Sequence, residues 1–304
     1  MHCSWCVLDC GEAVDDSGDE ADEAPSRSAE LAAALVRSLF CGLPHKERRM
    51  AIFVSFSDES ETAGFFHHAG LIAWENEWDK VFVPAWQMCV LDRPPKIEYL
   101  HMTKIRSRAW REKRGLSPEE AELRVNAAVN LICKMNAKWA FQICSTTRTE
   151  YISEVGPLYF RKGPKSRRKI FKADHLCWFG YMHTVLETVH RLYKGVDRVD
   201  FVVERKDGIF LEISRLHDEF RLAFDEFAPH LSPLMGEVIP GGKDRVPLQA
   251  ADVLCWYSQR AAAKSLEGID IGRWNALQWR PGEWHEWKRA EVRELAGIWS
   301  EPNV

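Results

Sequence analysis

The sequence lacks the apolar run of about eighteen or more residues that a membrane-spanning helix requires. It also lacks a basic and then apolar N-terminal stretch of the kind that directs secretion. Its nine cysteines are odd in number and scattered along the chain, which argues against a disulfide framework. These absences speak against the membrane-spanning class and the disulfide-stapled secreted class. We therefore expect a cytoplasmic protein with reduced thiols and no membrane partner.

Residues 1–24 contain no lysine or arginine, although they carry eight acidic side chains. The net charge of the whole chain is −4, so the part beyond residue 24 has a small positive net charge. A mildly basic body is compatible with a polyanionic partner. The acidic N-terminal stretch has the composition of a disordered segment. Because a strand-like run starts directly after Met50, we expect residues 1–49 to be a disordered, non-native extension and Met50 to be the natural start.

The rest of the chain has the pattern of a globular α/β protein, with 46% hydrophobic and 28% charged residues overall. Strand-like segments alternate with segments of helical periodicity, which predicts a mixed sheet flanked by helices. The first two strands are expected to form an antiparallel pair. The predicted strands cover 51–56, 64–73, 97–100, 139–144 and 199–204; the predicted helices cover 75–90, 118–135, 174–193, 211–227 and a segment that opens at Pro247; a short apolar segment covers 234–239. Residues 50–260 are predicted to form the domain, and residues 261–304 a Trp-rich appendage.

The helix that opens at Pro247 carries a carboxylate in an apolar setting. Proline at the first helical position costs no hydrogen bond, and Gln249 and Asp252, three residues apart, share one face of the helix. The neighbours of Asp252 are small or apolar. Burial of a charged carboxylate among such residues costs free energy unless a cation pairs with it. That cation is either an arginine, with Arg245 and Arg260 as examples, or a metal ion.

Further acids follow two predicted strands. The first strand runs into Asp58 and Glu59, and the strand 199–204 ends on Glu204. Ligands of open α/β sheets collect at the carboxyl edge of the strands, and hard cations such as Mg²⁺ prefer carboxylate oxygens. Asp58 is the expected ligand, whereas Glu59 points to the opposite side of an extended backbone. The alternative for this acidic segment is an ordinary surface turn.

Four short motifs resemble those of one protein family. Asp58-Glu59-Ser60 is similar to the opening "DES" motif of the DUF3800 proteins, and Leu100-His101 is similar to their internal "fH" element. The strand that ends on Glu204 resembles a later acidic strand of the family, and Leu248-Gln249-Ala250-Ala251-Asp252 resembles its closing "LQxAD" helix. The motifs stand in family order and span roughly Met50 to Arg260. The one departure is Glu204, where aspartate is expected.

The resemblance implies an RNase H-like fold and a divalent-metal-dependent nuclease. It makes Asp58, Asp252 and Glu204 the ligands of one or two Mg²⁺ or Mn²⁺ ions, and His101 a further catalytic residue that assists proton transfer. Glu59 is expected to contact the metal ligands without binding the metal itself, and Gln249 is expected to orient water or substrate. Catalysis would then be the metal-dependent hydrolysis of a phosphodiester bond in a nucleic acid.

Two basic clusters are expected to contact the nucleic-acid backbone. Such clusters neutralise phosphates without reading sequence, so they leave the choice between DNA and RNA open. The clusters are Lys104, Arg106, Arg108 and Arg111, and Arg161, Lys162, Lys165, Arg167, Arg168 and Lys169. Two alternatives stay open: a non-catalytic nucleic-acid-binding or interaction module of the same fold, which the departure at Glu204 favours, and a nucleotide or other phosphate ester as the substrate.

Overall fold

The structure is a computed structural model that describes residues 52–62, 65–134, 141–147, 173–193, 195–205, 209–278, 282–287 and 290. Residues 51–304 form one compact unit, divided from the residues before them after Met50. The predicted extension of residues 1–49 and the second basic cluster, Arg161 to Lys169, lie outside the described residues.

A six-stranded mixed sheet forms the centre of this unit. Its strands are β1 (Ile52–Thr62), β2 (Phe65–Trp74), β3 (Phe141–Thr147), β4 (Arg198–Glu204), β5 (Met235–Gly241) and β6 (Gly282–Trp287), in the order β5-β4-β1-β2-β3-β6. β2 is antiparallel to β1 and β3, while the pairs β1–β4, β4–β5 and β3–β6 are parallel. Among the described strands, β2 therefore runs against all the others, and the carboxyl ends of β1, β4 and β5 point the same way.

Helices cover both faces of the sheet. The first, α1, is continuous through four segments of α- and π-helix (Glu75–Glu77, Trp78–Phe82, Val83–Trp86, Gln87–Leu91). It is followed by α2 (Met102–Ile105), α3 (Arg108–Glu112), α4 (Pro118–Lys134), α5 (Ala173–Leu192), α6 (Ile209–Phe227), a 3-10 turn (Ser232–Leu234), α7 (Val246–Ala262) and α8 (Ile269–Gln278). In the part of the chain that the structure describes, none of these helices has the length and apolar character needed to cross a lipid bilayer.

The two sides of the sheet build two separate cores, because side chains alternate along each strand. Val54 and Phe56 of β1 face a cluster that also contains residues of α1, α4 and α7. Phe53 of β1, with Phe201 of β4, faces a second cluster built with α5 and α6. The α/β class with a mixed sheet is therefore confirmed, as is the antiparallel pairing of the first two strands.

Helix α4 begins where the sequence predicted it. The Ser117 hydroxyl oxygen accepts a hydrogen bond from the Glu120 N–H at 3.1 Å, and the Glu120 carboxylate accepts one from the Ser117 N–H at 2.7 Å. This reciprocal pair is the capping box that satisfies two N–H groups at a helix start. Residues 235–239 of the predicted apolar segment belong to strand β5, which pairs with β4. Helix α8 and strand β6 place parts of the predicted appendage within the same unit.

The prediction of a short strand over residues 97–100 is wrong. This segment is irregular, and the N–H groups at its two ends bond outside the sheet: the Ile97 N–H donates to the Leu91 carbonyl at 3.1 Å, and the Leu100 N–H donates to the Gln249 side chain at 3.0 Å. With these bonds made, the segment does not need a neighbouring strand. His101 therefore does not end a strand; it is the extended residue that precedes helix α2.

Candidate active site

A pocket at the carboxyl edge of the sheet brings the predicted acids together. It encloses about 290 Å³, part of it open to solvent. Strands β1 and β4, helix α7 and the two loops that precede α2 and α7 all contribute to its wall. The lining residues are Asp58, Leu100, His101, Glu204, Lys243, Leu248, Gln249 and Asp252. Every residue that the sequence proposed as a metal ligand or general acid–base is thus in this pocket.

Asp58 reaches the pocket from inside strand β1, not from the turn after it. Strand β1 continues to Thr62 through its pairing with β2, whereas its pairing with β4 stops at Ser57 and Val203. The next position on each strand is Asp58 and Glu204, so these two acids stand side by side where the strands part. The side chain of Asp58 is only 8% exposed. The surface-turn alternative is therefore wrong for Asp58.

Glu59 belongs to the other side of the sheet. It is paired in register with His68, whose ring packs against Trp178 and Tyr181 of α5. The alternation of the strand separates it from Asp58, which lies on the side covered by α7. Glu59 is accordingly absent from the residues that line the pocket.

Asp252 comes to the pocket from helix α7, which packs across β1 and β2. One carboxylate oxygen accepts a hydrogen bond from the Met102 N–H at 2.6 Å, and the other lies 3.5 Å from Nδ1 of His101. Of the two arginines named as possible partners, Arg245 and Arg260, the second lies over the ring of Trp256 at 4.3 Å from its centroid. Asp252 thus interacts with the segment around His101 and with Asp58.

The electrostatics of the pocket oppose a charged Asp252. Burial raises the pKa of Asp252 well above its usual range, and the charge of Asp58 raises that pKa further, with a smaller contribution from Glu204. The two aspartates are close enough for a hydrogen bond between their carboxyl groups, and the Met102 N–H opposes the rise only in part. Two buried carboxyl groups in this position share a proton or share a cation.

Glu204 has a cationic partner inside the chain. The Nζ atom of Lys243 lies 3.1 Å from Oε1 of Glu204, and the Glu204 side chain is 13% exposed. Lys243 sits in the loop that joins β5 to α7. The sequence had not proposed it, although the apolar segment 234–239 was a signal that a further parallel strand delivers the following loop to the same edge of the sheet.

Gln249 is used as a clamp within the chain. Its amide oxygen accepts hydrogen bonds from Nε1 of Trp86 and from the Leu100 N–H, both at 3.0 Å, and its amide nitrogen donates to the Lys243 carbonyl at 3.0 Å. The side chain therefore ties together α1, the segment that leads to His101, and the loop of Lys243. These contacts make Gln249 a positioning residue for both sides of the pocket.

We expect Gln249→Ala to lower the free energy of unfolding by about 2–4 kcal/mol, because it leaves buried backbone and indole groups without their partner. Urea denaturation monitored by circular dichroism measures this value. Gln278→Ala, at an exposed position near the end of α8, is the matched control and should change stability by less than about 0.5 kcal/mol. Equal losses of unfolding free energy in the two variants would contradict the role of Gln249 as a clamp.

Asp58 and Asp252 offer oxygen ligands to one hard cation, but they do not form a site in which protein side chains fill every ligand position. Among the described residues, no group of three or more His, Cys, Asp or Glu side chains has the arrangement of a metal-binding cluster. The pair Asp58–Asp252 nevertheless offers carboxylate oxygens, the ligands that Mg²⁺ and Mn²⁺ prefer, at a place where a cation would relieve their repulsion. Magnesium commonly takes one or two carboxylates from the protein and keeps its other positions for water and phosphate.

The first basic cluster is mostly engaged within the protein. Arg106 pairs with Glu122 and with Asp270, and Arg111 donates to the Ile105 carbonyl at 3.0 Å. Lys104 donates to the hydroxyl oxygen of Tyr99. Arg108 is the most accessible member, with a side chain that is 86% exposed and paired with Glu112 four residues on. The cluster follows His101 directly in the chain, on helices α2 and α3.

Comparisons of this chain with protein-family models, with curated proteins and with solved structures found no match.

Proposed function

We propose that this protein is a divalent-metal-dependent phosphodiester hydrolase that acts on nucleic acid. The observation that carries the proposal is the meeting of Asp58 and Asp252 in one pocket, from a strand and a helix that are far apart in sequence. A buried pair of carboxyl groups is costly to a fold unless it binds something, and perturbed carboxyl groups in a cleft are characteristic of catalytic sites.

The fold proposed for this site is RNase H-like, of the DUF3800 type. The mixed sheet, with β2 as its reversed strand and helices on both faces, supports that assignment. Further support comes from where the acids lie: on the adjacent parallel strands β1 and β4, and on the helix that follows β5. In open α/β sheets, ligands bind at the edge formed by the carboxyl ends of the strands.

In the proposed reaction, water adds to phosphorus as one P–O ester bond breaks, and a proton moves from the water to an acceptor while the leaving oxygen gains one. Asp58 and Asp252 would hold Mg²⁺ or Mn²⁺, which activates the water and neutralises the charge of the phosphate. His101, with its side chain 23% exposed and its Nδ1 near Asp252, is placed to accept or donate a proton at the mouth of the pocket. Met102 orients Asp252 through its N–H.

The proposed substrate is nucleic acid because a run of cations follows His101, a residue of the pocket, directly in the chain. Of the described cluster, Arg108 is the side chain best placed to meet a phosphate backbone, because it is 86% exposed and its partner Glu112 is exposed as well. Arg106 and Arg111 serve ion pairs or carbonyls of the fold, and Lys104 donates to Tyr99. Such contacts would give binding a strong dependence on salt.

The test is the cleavage of labelled single- and double-stranded DNA and RNA by the purified full chain. We expect cleavage of at least one of these substrates with Mg²⁺ or Mn²⁺, none with EDTA, and none by Asp58→Asn with either metal. Cleavage that persists in EDTA or in Asp58→Asn would overturn the assignment. A nucleotide added as a fifth substrate separates nucleic acid from smaller phosphate esters.

The second candidate is a non-catalytic nucleic-acid-binding module, and the pairing of Glu204 with Lys243 is the observation that favours it. That pair removes one acid from the metal-binding set. The two candidates differ in thermal unfolding with added Mn²⁺: a ligand that binds only the native state must raise the melting temperature. No shift, together with salt-sensitive binding of nucleic acid and no cleavage, would support the binding module.

A further inference from the structure

Lys243 is the one lysine among the described residues that line the pocket, and no arginine is among them. Its Nζ atom lies 3.1 Å from Oε1 of Glu204, and its side chain is 40% exposed. One side of the ammonium group is therefore held by the protein, and another faces the opening of the pocket. An ammonium carries three N–H donors, so a single carboxylate oxygen leaves it able to bind a further anion.

The loop that carries Lys243 is held in place on both sides. Gly241 packs so closely that an added Cβ would stand 2.4 Å from Cδ1 of Leu248 and 3.0 Å from Cγ1 of Val202. Gln249 binds the Lys243 carbonyl at 3.0 Å, and the Arg245 N–H donates to the Gly242 carbonyl at 3.0 Å. The ammonium group is therefore presented from a backbone fixed to β4 and α7, which is what an anion-binding position requires.

The length of the Glu204 side chain lets it reach Lys243, its ion-pair partner. Asp58 and Glu204 follow the last paired positions of β1 and β4, but Glu204 is one methylene longer and extends to the loop after β5. A second divalent ion on Glu204 would lie beside the ammonium group that already pairs with this carboxylate, and the two positive charges would repel each other. The charge of Lys243 thus disfavours a second ion at this carboxylate.

We propose that Lys243 is a phosphate-binding residue of this pocket, held by Glu204, and that the pocket takes one divalent ion, on Asp58 and Asp252, instead of two. The inference rests on the proposed function and extends it to the number of metal ions and to a further residue. Glu204 is then a positioning residue that acts through Lys243.

The metal part of the inference is tested by titration with Mn²⁺ alone, followed by electron paramagnetic resonance or calorimetry. We expect one Mn²⁺ per wild-type chain, one per chain in Glu204→Gln, and none in Asp58→Asn. Two ions in the wild type, or loss of binding in Glu204→Gln equal to that in Asp58→Asn, would overturn the inference while leaving the nuclease proposal standing. Absence of Mn²⁺ binding to the wild type would overturn both.

The phosphate part is tested by binding of fluorescent single-stranded DNA and RNA oligonucleotides in EDTA at several salt concentrations. Lys243→Met should reduce the slope of log K against log salt by about 0.7, the value for one lost phosphate contact on a single strand. Lys243→Arg should restore the slope. The matched control is Lys96→Met, which removes an exposed lysine that is also paired with an aspartate, Asp92, at 3.2 Å. An unchanged slope in Lys243→Met, or an equal reduction in Lys96→Met, would overturn the inference.

Discussion

The Asp252→Asn variant is expected to lose metal-dependent cleavage by more than about 100-fold, the upper end of what removal of a mere supporting partner of a metal ligand costs. The physical reason is the loss of a carboxylate that would bind the ion. The amide keeps the shape of the side chain, and its oxygen can still accept the hydrogen bond that the Met102 N–H donates at 2.6 Å. The pocket is therefore preserved while its charge is removed.

The same variant is expected to unfold at a temperature equal to or above that of the wild type in EDTA. Burial and the neighbouring Asp58 raise the pKa of Asp252, which means that its ionised form is unfavourable in the folded protein. The neutral amide relieves that penalty. A variant that loses activity through misfolding would instead melt at a lower temperature, so the two measurements together separate a catalytic role from a structural one.

Addition of Mn²⁺ should then distinguish the two proteins. At a free concentration about 100 times Kd, the wild type should gain about 2.7 kcal/mol of stability, and Asp252→Asn should gain none. Asp79→Asn, at an exposed position of α1, is the control and should behave like the wild type in both cleavage and melting. Full cleavage activity in Asp252→Asn would remove Asp252 from the site.

The second large effect concerns Arg124, which is 1% exposed and lies in α4. Its guanidinium group donates to three backbone carbonyls, those of Val90, Arg93 and Pro95. These carbonyls belong to the end of α1 and to the segment that leads toward His101. Arg124 therefore fixes the chain between the first helix of the domain and the pocket.

Arg124→Met is expected to lower the free energy of unfolding by about 3–5 kcal/mol, because it leaves several buried carbonyls without a donor. Arg124→Lys should fall between the methionine variant and the wild type, since an ammonium group lacks the planar fork that reaches three acceptors at once. Urea denaturation gives these values, and an unchanged m-value shows that the transition remains comparable.

The matched control is Arg108→Met, whose side chain is 86% exposed and whose partner is Glu112, four residues on in the same helix. An exposed pair of this kind contributes less than about 1 kcal/mol. A loss below about 1 kcal/mol in Arg124→Met would contradict the role assigned to its three hydrogen bonds. A large loss in both variants would show that the measurement does not separate buried from exposed arginines.

Several features were predictable because they depend on neighbours in sequence. The capping box at Ser117 and Glu120 forms within one helical turn, and the helix begins there as predicted. The antiparallel pairing of β1 with β2 follows from two strand patterns with a short connection between them. The alternation along β1 separates Asp58 from Glu59 in the same way.

Other features depend on residues distant in sequence, and there local patterns were insufficient. Residues 97–100 have the composition of a strand, yet Leu100 gives its N–H to Gln249, which lies 149 residues further on. The strand patterns ended β1 near residue 56, whereas the pairing with β2 extends it to Thr62 and leaves Asp58 in a buried wall. Tertiary contacts override local preference in both places.

The amino-acid sequence by itself determined the α/β class and most of the helices and strands, because periodicity and residue type are local properties. Asp58, Asp252 and Glu204 were predicted to meet because they follow strands or lie on one helix face, whereas His101 was predicted only from the resemblance of short motifs to one family. The tertiary structure decided how that site is arranged. The burial of Asp252 beside Asp58, the pairing of Glu204 with Lys243 and the clamp at Gln249 each require strands and helices that meet only when the sheet forms. Charge and hydrogen bonding act through space, so their partners are set by the fold and not by distance along the chain.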